Sequence, residues 1–187
     1  AAAIGDALAK LSQPESGAGI PLDIYQPIAE RLLSSIDMEN GGIGDAPKFP
    51  HVPAFELLWR AWLRSRDARF RDAVTLTLIR MCQGGIYDHL GGGFARYTVD
   101  AEWLVPHFEK MLYDNALLLA LYSQIGQVTQ EPLFHTIAAE ISDWTMREMQ
   151  APDGGYYATL DADAEGEEGK FYLWTPDQVR ERLSSTE

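Results

Sequence analysis

The chain has a single cysteine, Cys82. One thiol excludes an internal disulfide framework, a Cys-x-x-Cys redox pair and a cysteine-cluster zinc site. Long apolar runs are missing too. The longest strongly apolar stretch, Ala116 to Tyr122, is far short of the roughly 18 residues that a membrane helix needs. Basic residues are scarce, with 15 Lys plus Arg against 28 Asp plus Glu and a net charge of −13. Nucleic-acid backbones and anionic membrane surfaces both call for a basic face, so neither is an expected partner. There is no His-Glu-x-x-His, no other zinc spacing and no Ser-centred nucleophile elbow. Neither a metal nor a cofactor is expected. The first residues, Ala1-Ala2-Ala3, carry neither an initiating Met nor the basic-then-apolar layout of a signal peptide. The start reads as trimmed or processed, and a cytoplasmic setting is favoured.

What is present is a globular composition. The 187 residues, 46% hydrophobic and 11% aromatic, fit one packed domain over 1–187. A short alanine-rich helix up to Leu11 and the linker SQPESGAG make up residues 1–21. Ile24, Ile28, Leu32 and Ile36 recur every four residues, which predicts an amphipathic helix over Leu22–Ile36. The prolines Pro47, Pro50 and Pro53 forbid a helix in the loop Asn40–Pro53. Helical patterns resume over Ala54–Leu63 and Ala68–Cys82, the second stopping at Gly84-Gly85. Phe108–Gly126 is apolar on nearly every side and reads as a helix buried all round. Glu131–Met149 is amphipathic, with Phe134, Ile137, Ile141 and Trp144 inward. Phe94–Val99, Tyr156–Leu160 and Phe171–Trp174 are strand-like, and Thr175-Pro176 starts a last helix.

A polar residue, two glycines and an apolar or aromatic residue recur three times: Asn40-Gly41-Gly42-Ile43, Gln83-Gly84-Gly85-Ile86 and Asp153-Gly154-Gly155-Tyr156. Each follows a helix and opens an irregular polar segment. The first two lie 43 residues apart. That reads as an array of helical hairpins whose long loops gather at one end.

The densest polar constellation runs from Tyr87 to Asn115. Asp88 and His89 precede three glycines, which let a backbone approach a ligand closely. Arg96, Tyr97, Asp100, Trp103, His107, Glu109, Lys110, Asp114 and Asn115 follow. Histidine shuttles protons near neutral pH, and a neighbouring carboxylate orients its ring. On a helix starting near His107, the side chains of His107, Lys110 and Asp114 would share a face. The competing reading has Arg96, Asp100 and Glu109 in ion pairs that tie the loop down, with the histidines at helix ends.

The segment from Asp161 to Glu168 is acidic. Asp-x-Asp-x-Glu-Gly copies the opening of a calcium loop, but Tyr172 stands where the bidentate Glu belongs. A solvated hairpin turn competes with a reading in which Asp161 and Asp163 point into a pocket and bind hydroxyl groups. Trp59, Trp62 and Trp144 have core spacing. Trp103 and Trp174, beside charges, suit either a sugar-facing surface or a loop anchor.

The segments GGIGDAPKFP (Gly41–Pro50), GGIYDHLGGGFARYTVDAEWLVPHFEKMLYDNALL (Gly84–Leu118) and LDADAEGEEGKFYLWTP (Leu160–Pro176) strongly resemble the YyaL-type family, also called the spermatogenesis-associated, thioredoxin-domain-containing family of unknown function. The resemblance covers Leu22 to the C-terminus. It implies a thioredoxin-fold domain followed by an (α/α) toroid similar to six-hairpin glycosidases and N-acylglucosamine 2-epimerases. The 187 residues hold no thioredoxin-like portion, so redox activity is not carried over. A complete toroid needs more helices than the six or seven read here. The expected fold is therefore all-α, an incomplete (α/α) toroid of helical hairpins with short β-hairpins in its loops. Self-association through its apolar open edge is expected.

For function, the resemblance implies a carbohydrate-active or carbohydrate-binding domain of epimerase or glycosidase type, taking a sugar-like small molecule. His107 and His89 are the acid/base candidates, helped by Asp88, Glu109 and Asp114. Arg96, Tyr97, Trp103, Lys110, Asn115, Asp161 and Asp163 would hold substrate. The rival reading is a non-catalytic helical scaffold for a thioredoxin-like domain or a protein partner, or an inactive fragment.

Overall fold

A computed structural model of the chain describes residues 22–183 together with residues 4, 5 and 19. The helix and linker expected over 1–21 lie, apart from those three positions, outside the described residues. Six α-helices follow among the described residues: α1 Tyr25–Leu33, α2 Val52–Ser65, α3 Ala68–Gln83, α4 Leu112–Thr129, α5 Pro132–Trp144 and α6 Pro176–Arg182. A 3-10 turn, Leu22–Ile24, leads into α1, and a π-helical turn, Thr145–Met149, prolongs α5.

The helix ends obey local chemistry. Asp67 accepts from the Arg69 amide at the start of α3, and Thr175 and Gln178 close a reciprocal capping box on α6. Pro53 and Pro132 sit in first turns, where a missing amide costs nothing. Arg66 and Gln130 end α2 and α4 in the left-handed conformation, each donating its amide one turn back, to Trp62 and Gly126.

The helices pack as antiparallel neighbours, α2 on α3 and, most extensively, α4 on α5; α1 lies against α2 and α4 touches α2. Between them sits a core whose largest members are Trp59, Trp103, Trp144, Tyr122, Phe55 and Phe70. The buried Tyr122 hydroxyl donates to the Leu78 carbonyl at 2.7 Å, so even this polar atom is satisfied.

Two expectations need correction. The Leu22–Ile36 helix is shorter, and Ile24 and Ile28 on its apolar stripe stand 40% and 46% exposed. Helix α4, expected to be buried all round, is left open along one stripe, with Tyr113, Leu117 and Val128 exposed. No described element lies over either face.

The long loops are tied to one another. Three two-residue antiparallel ladders appear among the described residues: β1 Tyr97–Thr98 with β2 Pro106–His107, β3 Lys110–Met111 with β4 Thr159–Leu160, and β5 Asp163–Ala164 with β6 Glu167–Glu168. A bridge joins Lys48 to Thr98, and the Trp103 indole donates to the Asn40 carbonyl at 2.9 Å. The helical hairpins thus present their loops together, in contact, at one end. Of the expected Phe94–Val99 strand only Tyr97–Thr98 forms a ladder, with Phe94 making an isolated bridge to Tyr87, and Phe171–Trp174 is not a strand.

Candidate functional site

The site is built from a lock that occurs twice. Asp37 accepts from the amides of Glu39 and Asn40, and the Lys48 ammonium donates to Asp37 at 2.6 Å and to the Gly41 carbonyl at 2.7 Å. Fifty-one residues on, Asp88 accepts from the amides of Leu90 and Gly91, and Lys110 donates to Asp88 at 2.7 Å and to the Gly92 carbonyl at 2.8 Å. Bridges Ile36–Ile43 and Tyr87–Phe94 close the two loops identically. In each, a tryptophan covers the last glycine. A Cβ on Gly42 (φ +83) would lie 2.6 Å from Trp103, and one on Gly93 (φ +80) 2.7 Å from Trp144. The ammoniums of Lys48 and Lys110 sit 5.7 and 5.4 Å from those same rings.

This corrects the register of the repeat. Gly41-Gly42 corresponds to Gly92-Gly93, not to Gly84-Gly85, whose first member ends α3 in extended conformation. The signal was in the sequence: an apolar residue and an aspartate stand before the glycines in both, Ile36-Asp37 and Tyr87-Asp88. The third loop closes by a shorter Gln150–Tyr156 bridge, and Ala151 takes the place of the aspartate.

The second lock borders open space. One cavity of about 320 Å³ runs past Ile86, Leu104, Phe108 and Lys110, and another of about 660 Å³ runs past Lys110, Glu148, Asp161, Asp163 and Trp174. Asp88, Leu90, Lys110 and Tyr172 belong to both walls. Lys110 is buried, with its ammonium 5.0 Å from the Tyr172 ring. Burial pulls the Lys110 ammonium below its usual value, against the pull of Asp88. Burial pushes the Asp88 carboxyl up, but the hydrogen bonds from Lys110 and the Gly91 and Leu90 amides outweigh it and hold Asp88 below the carboxylate range. Asp88 is therefore an ionised anchor.

A second polar cluster lies beside this cavity. The helix expected near His107 begins only at Leu112, because Pro106–His107 and Lys110–Met111 are strand-paired. His107, Lys110 and Asp114 consequently do not share a helical face. In extended chain successive side chains alternate: Phe108 and Lys110 line the cavity, whereas His107 and Glu109 do not. His107 stacks on Tyr97 at 4.9 Å, which stacks on Phe49 at 4.6 Å. The His107 Nδ1 contacts Glu168 at 2.6 Å, and Arg96 pairs with Glu109 at 3.0 Å. Asp114, half-buried near Arg96 and Glu109, is pushed up to about 6 by burial; Arg96 opposes the rise and Glu109 adds to it.

The remaining candidates separate cleanly. His89 is exposed at the smaller cavity, its Nε2 3.0 Å from the Gly84 carbonyl. Trp103 is fully buried and staples the first loop, so it is not a substrate surface. Asn115 is buried and committed to the Phe94 amide and carbonyl and the Met111 carbonyl, so it too cannot reach a ligand. Asp100 is no ion-pair partner: it accepts from the amides of Glu102, Leu104 and Val105. Asp161 and Asp163 are exposed and line the larger cavity, while Glu165 and Gly166 turn the acidic hairpin. Lys110 and Asp88 were both singled out, but not as each other's partners. Glu148 and Arg147, on the larger cavity's wall, were missed because they come from a distant, unremarkable segment, and Tyr172 was noticed only as a mismatch to a calcium loop.

The helix order and the loop cluster define the class: part of an (α/α) toroid. Solved toroids share it. A cellobiose 2-epimerase from Spirochaeta thermophila aligns over 77% of this chain and 42% of its own, with a TM-score of 0.60 and 19% identity. A family 76 glycoside hydrolase from Bacteroides thetaiotaomicron aligns over 62% and 24%, at 0.52 and 22% identity. At such identities the likeness is one of fold alone. No family model matches the chain. In sequence the chain is a homologue of spermatogenesis-associated protein 20: the human protein is 38% identical over 164 residues, 82% of this chain. The uncharacterized protein B0495.5 of Caenorhabditis elegans is 35% identical over 96% of the chain. The chain spans about a fifth of the length of the human relative, 21%. No helix among the described residues is long and apolar enough to cross a membrane.

Proposed function

We propose that the cavity around Lys110 binds a carbohydrate-like small molecule. The observation that carries this reading is the meeting of exposed carboxylates and aromatic faces on one wall. Asp161 and Asp163 come from the acidic hairpin, Glu148 from the turn after α5, and Trp174 and Tyr172 from the following loop. Ionised carboxylates accept hydrogen bonds from hydroxyl groups, and aromatic faces pack on the C–H surfaces of a sugar ring. The likeness in fold to a cellobiose 2-epimerase and to a family 76 glycoside hydrolase supports the same class of ligand.

Chemistry on that ligand would fall to the adjoining cluster. Asp114, pushed up to about 6 by burial, is suited to moving a proton near neutral pH, and the His107 ring, its Nδ1 2.6 Å from Glu168, belongs to the same cluster. Proton transfer at a carbon, as in an epimerase, fits them better than glycoside cleavage by two flanking carboxyl groups. Both stand outside the cavity lining, so binding is the primary claim. The competing scaffold reading is favoured by how many loop charges pair internally: Lys110–Asp88, Arg96–Glu109 and His107–Glu168.

A thermal-shift screen of the chain against a sugar library separates the two. The expected result is a melting shift with at least one sugar, reduced in Asp163→Asn and Trp174→Ala. No shift with any sugar sinks the carbohydrate reading and leaves the scaffold.

A further inference from the structure

The two cavities differ in chemistry, and they touch. The larger one carries Asp161, Asp163, Glu148 and Arg147. The smaller one is walled by Ile86, Leu104, Pro106, Phe108 and Leu173, with Ala95 behind them. Its charged members Asp88 and Lys110 are the locked pair, already committed to each other, and the exposed His89 ring on the same wall has its Nε2 3.0 Å from the Gly84 carbonyl. The two spaces meet over Asp88, Leu90, Lys110 and Tyr172, a saddle common to both.

We infer that the smaller cavity is an apolar subsite, so that the ligand is an amphipathic glycoside with its sugar in the larger cavity and an apolar aglycone across the saddle. A free sugar has nothing to offer a wall of Ile86, Leu104, Phe108 and Leu173, and water against such a wall is readily displaced by a hydrocarbon group. A volume of about 320 Å³ accommodates a benzene ring or a short alkyl chain. The saddle suits the junction between the two halves. Tyr172 presents a half-buried ring there, and the ammonium of Lys110 is already neutralised by Asp88 and turned toward two aromatic faces. No cation is left uncompensated when the apolar group enters. Leu104 and Leu173 form the outer rim, 65% and 62% exposed in the free protein, where a ligand would cover them. The inference rests on the carbohydrate reading of the larger cavity.

The test uses calorimetric titration of the 187-residue chain with D-glucose, D-mannose and N-acetyl-D-glucosamine, each as the free sugar and as its phenyl glycoside. Any sugar that binds is expected to gain about tenfold or more as the phenyl glycoside, from burial of the ring. Leu104→Asp and Leu173→Asp, both exposed enough to leave the fold intact, should each abolish most of that gain and leave the free sugar within about twofold. Asp163→Asn should weaken both forms alike. Equal binding of the two forms, or a gain that survives both leucine variants, overturns the apolar subsite and leaves the carbohydrate reading standing. Failure of every sugar in either form overturns the carbohydrate reading and this inference with it. Binding of phenol alone as tightly as the glycosides also overturns it, since the two cavities would then not act together.

Discussion

Two loops of this protein have the same skeleton and different fates. The loop from Ile36 to Lys48 and the loop from Tyr87 to Lys110 each hold an aspartate across two amides, and each aims a lysine at that aspartate and at a glycine carbonyl. In the first, Lys48 is fully buried under Trp103, and neither Asp37 nor Lys48 lines a described cavity. In the second, a longer excursion of chain separates aspartate from lysine, and the pair ends up as the wall between two open spaces. The lock itself is therefore structural. What the second loop adds is access, supplied by the excursion and by the acidic hairpin that packs on it.

The largest expected effect comes from removing the two lysines. Lys48→Met takes the ion partner from Asp37, itself 21% exposed, and the donor from the Gly41 carbonyl, and should cost about 1–3 kcal/mol in urea unfolding. Lys110→Met strands Asp88 beside a cavity that water can enter, and should cost about 1–3 kcal/mol. Losses of similar size are expected from the two locks, and a loss at one lysine only would break their equivalence. Next come Gly42→Ala and Gly93→Ala, each forcing a side chain into the left-handed region and against a tryptophan; both should cost about 1–3 kcal/mol. A Gly93→Ala protein as stable as the parent would break the equivalence of the loops.

The smallest effect belongs to the first turn of α4, just after the second loop. Asp114 titrates at about 6 in the folded protein and near 4 in an unfolded chain. Its ionisation therefore lowers stability progressively as pH rises from about 4 to about 6, with no further loss above that. Asp114→Asn should raise the melting temperature above pH 6 and leave it unchanged near pH 4. A gain independent of pH would show that packing, not charge, is responsible.

The helices were legible because their signals are local. The stripes of Ala54–Leu63 and Ala68–Cys82, and Thr175-Pro176 at the last helix start, need only the period and the caps. The site was less legible because its geometry is set from far away. Phe108–Met111 reads as helix by composition, yet Thr159 and Leu160, some fifty residues on, pair with Lys110 and Met111 and hold them extended. That single override exchanged the expected partners, sending Lys110 to Asp88 and leaving His107 with Glu168. Trp103 and Asn115 were set against a ligand for the opposite reason, although Trp103 also read as a loop anchor, which is the role the structure gives it. Their polar neighbours in sequence suggested a ligand surface, while their actual partners, Asn40 and Phe94, lie 63 and 21 residues away.

The two tryptophans that close the glycine loops have an architectural consequence. Trp103, which seals the first loop, is carried by the second; Trp144, which seals the second, is carried by α5, the second helix after it. The hairpins therefore overlap like roof tiles, each row holding down the one before. A piece of the protein cut at a loop boundary would lose the cover of its last row, so a self-sufficient fragment has to extend one tryptophan beyond the last loop it contains.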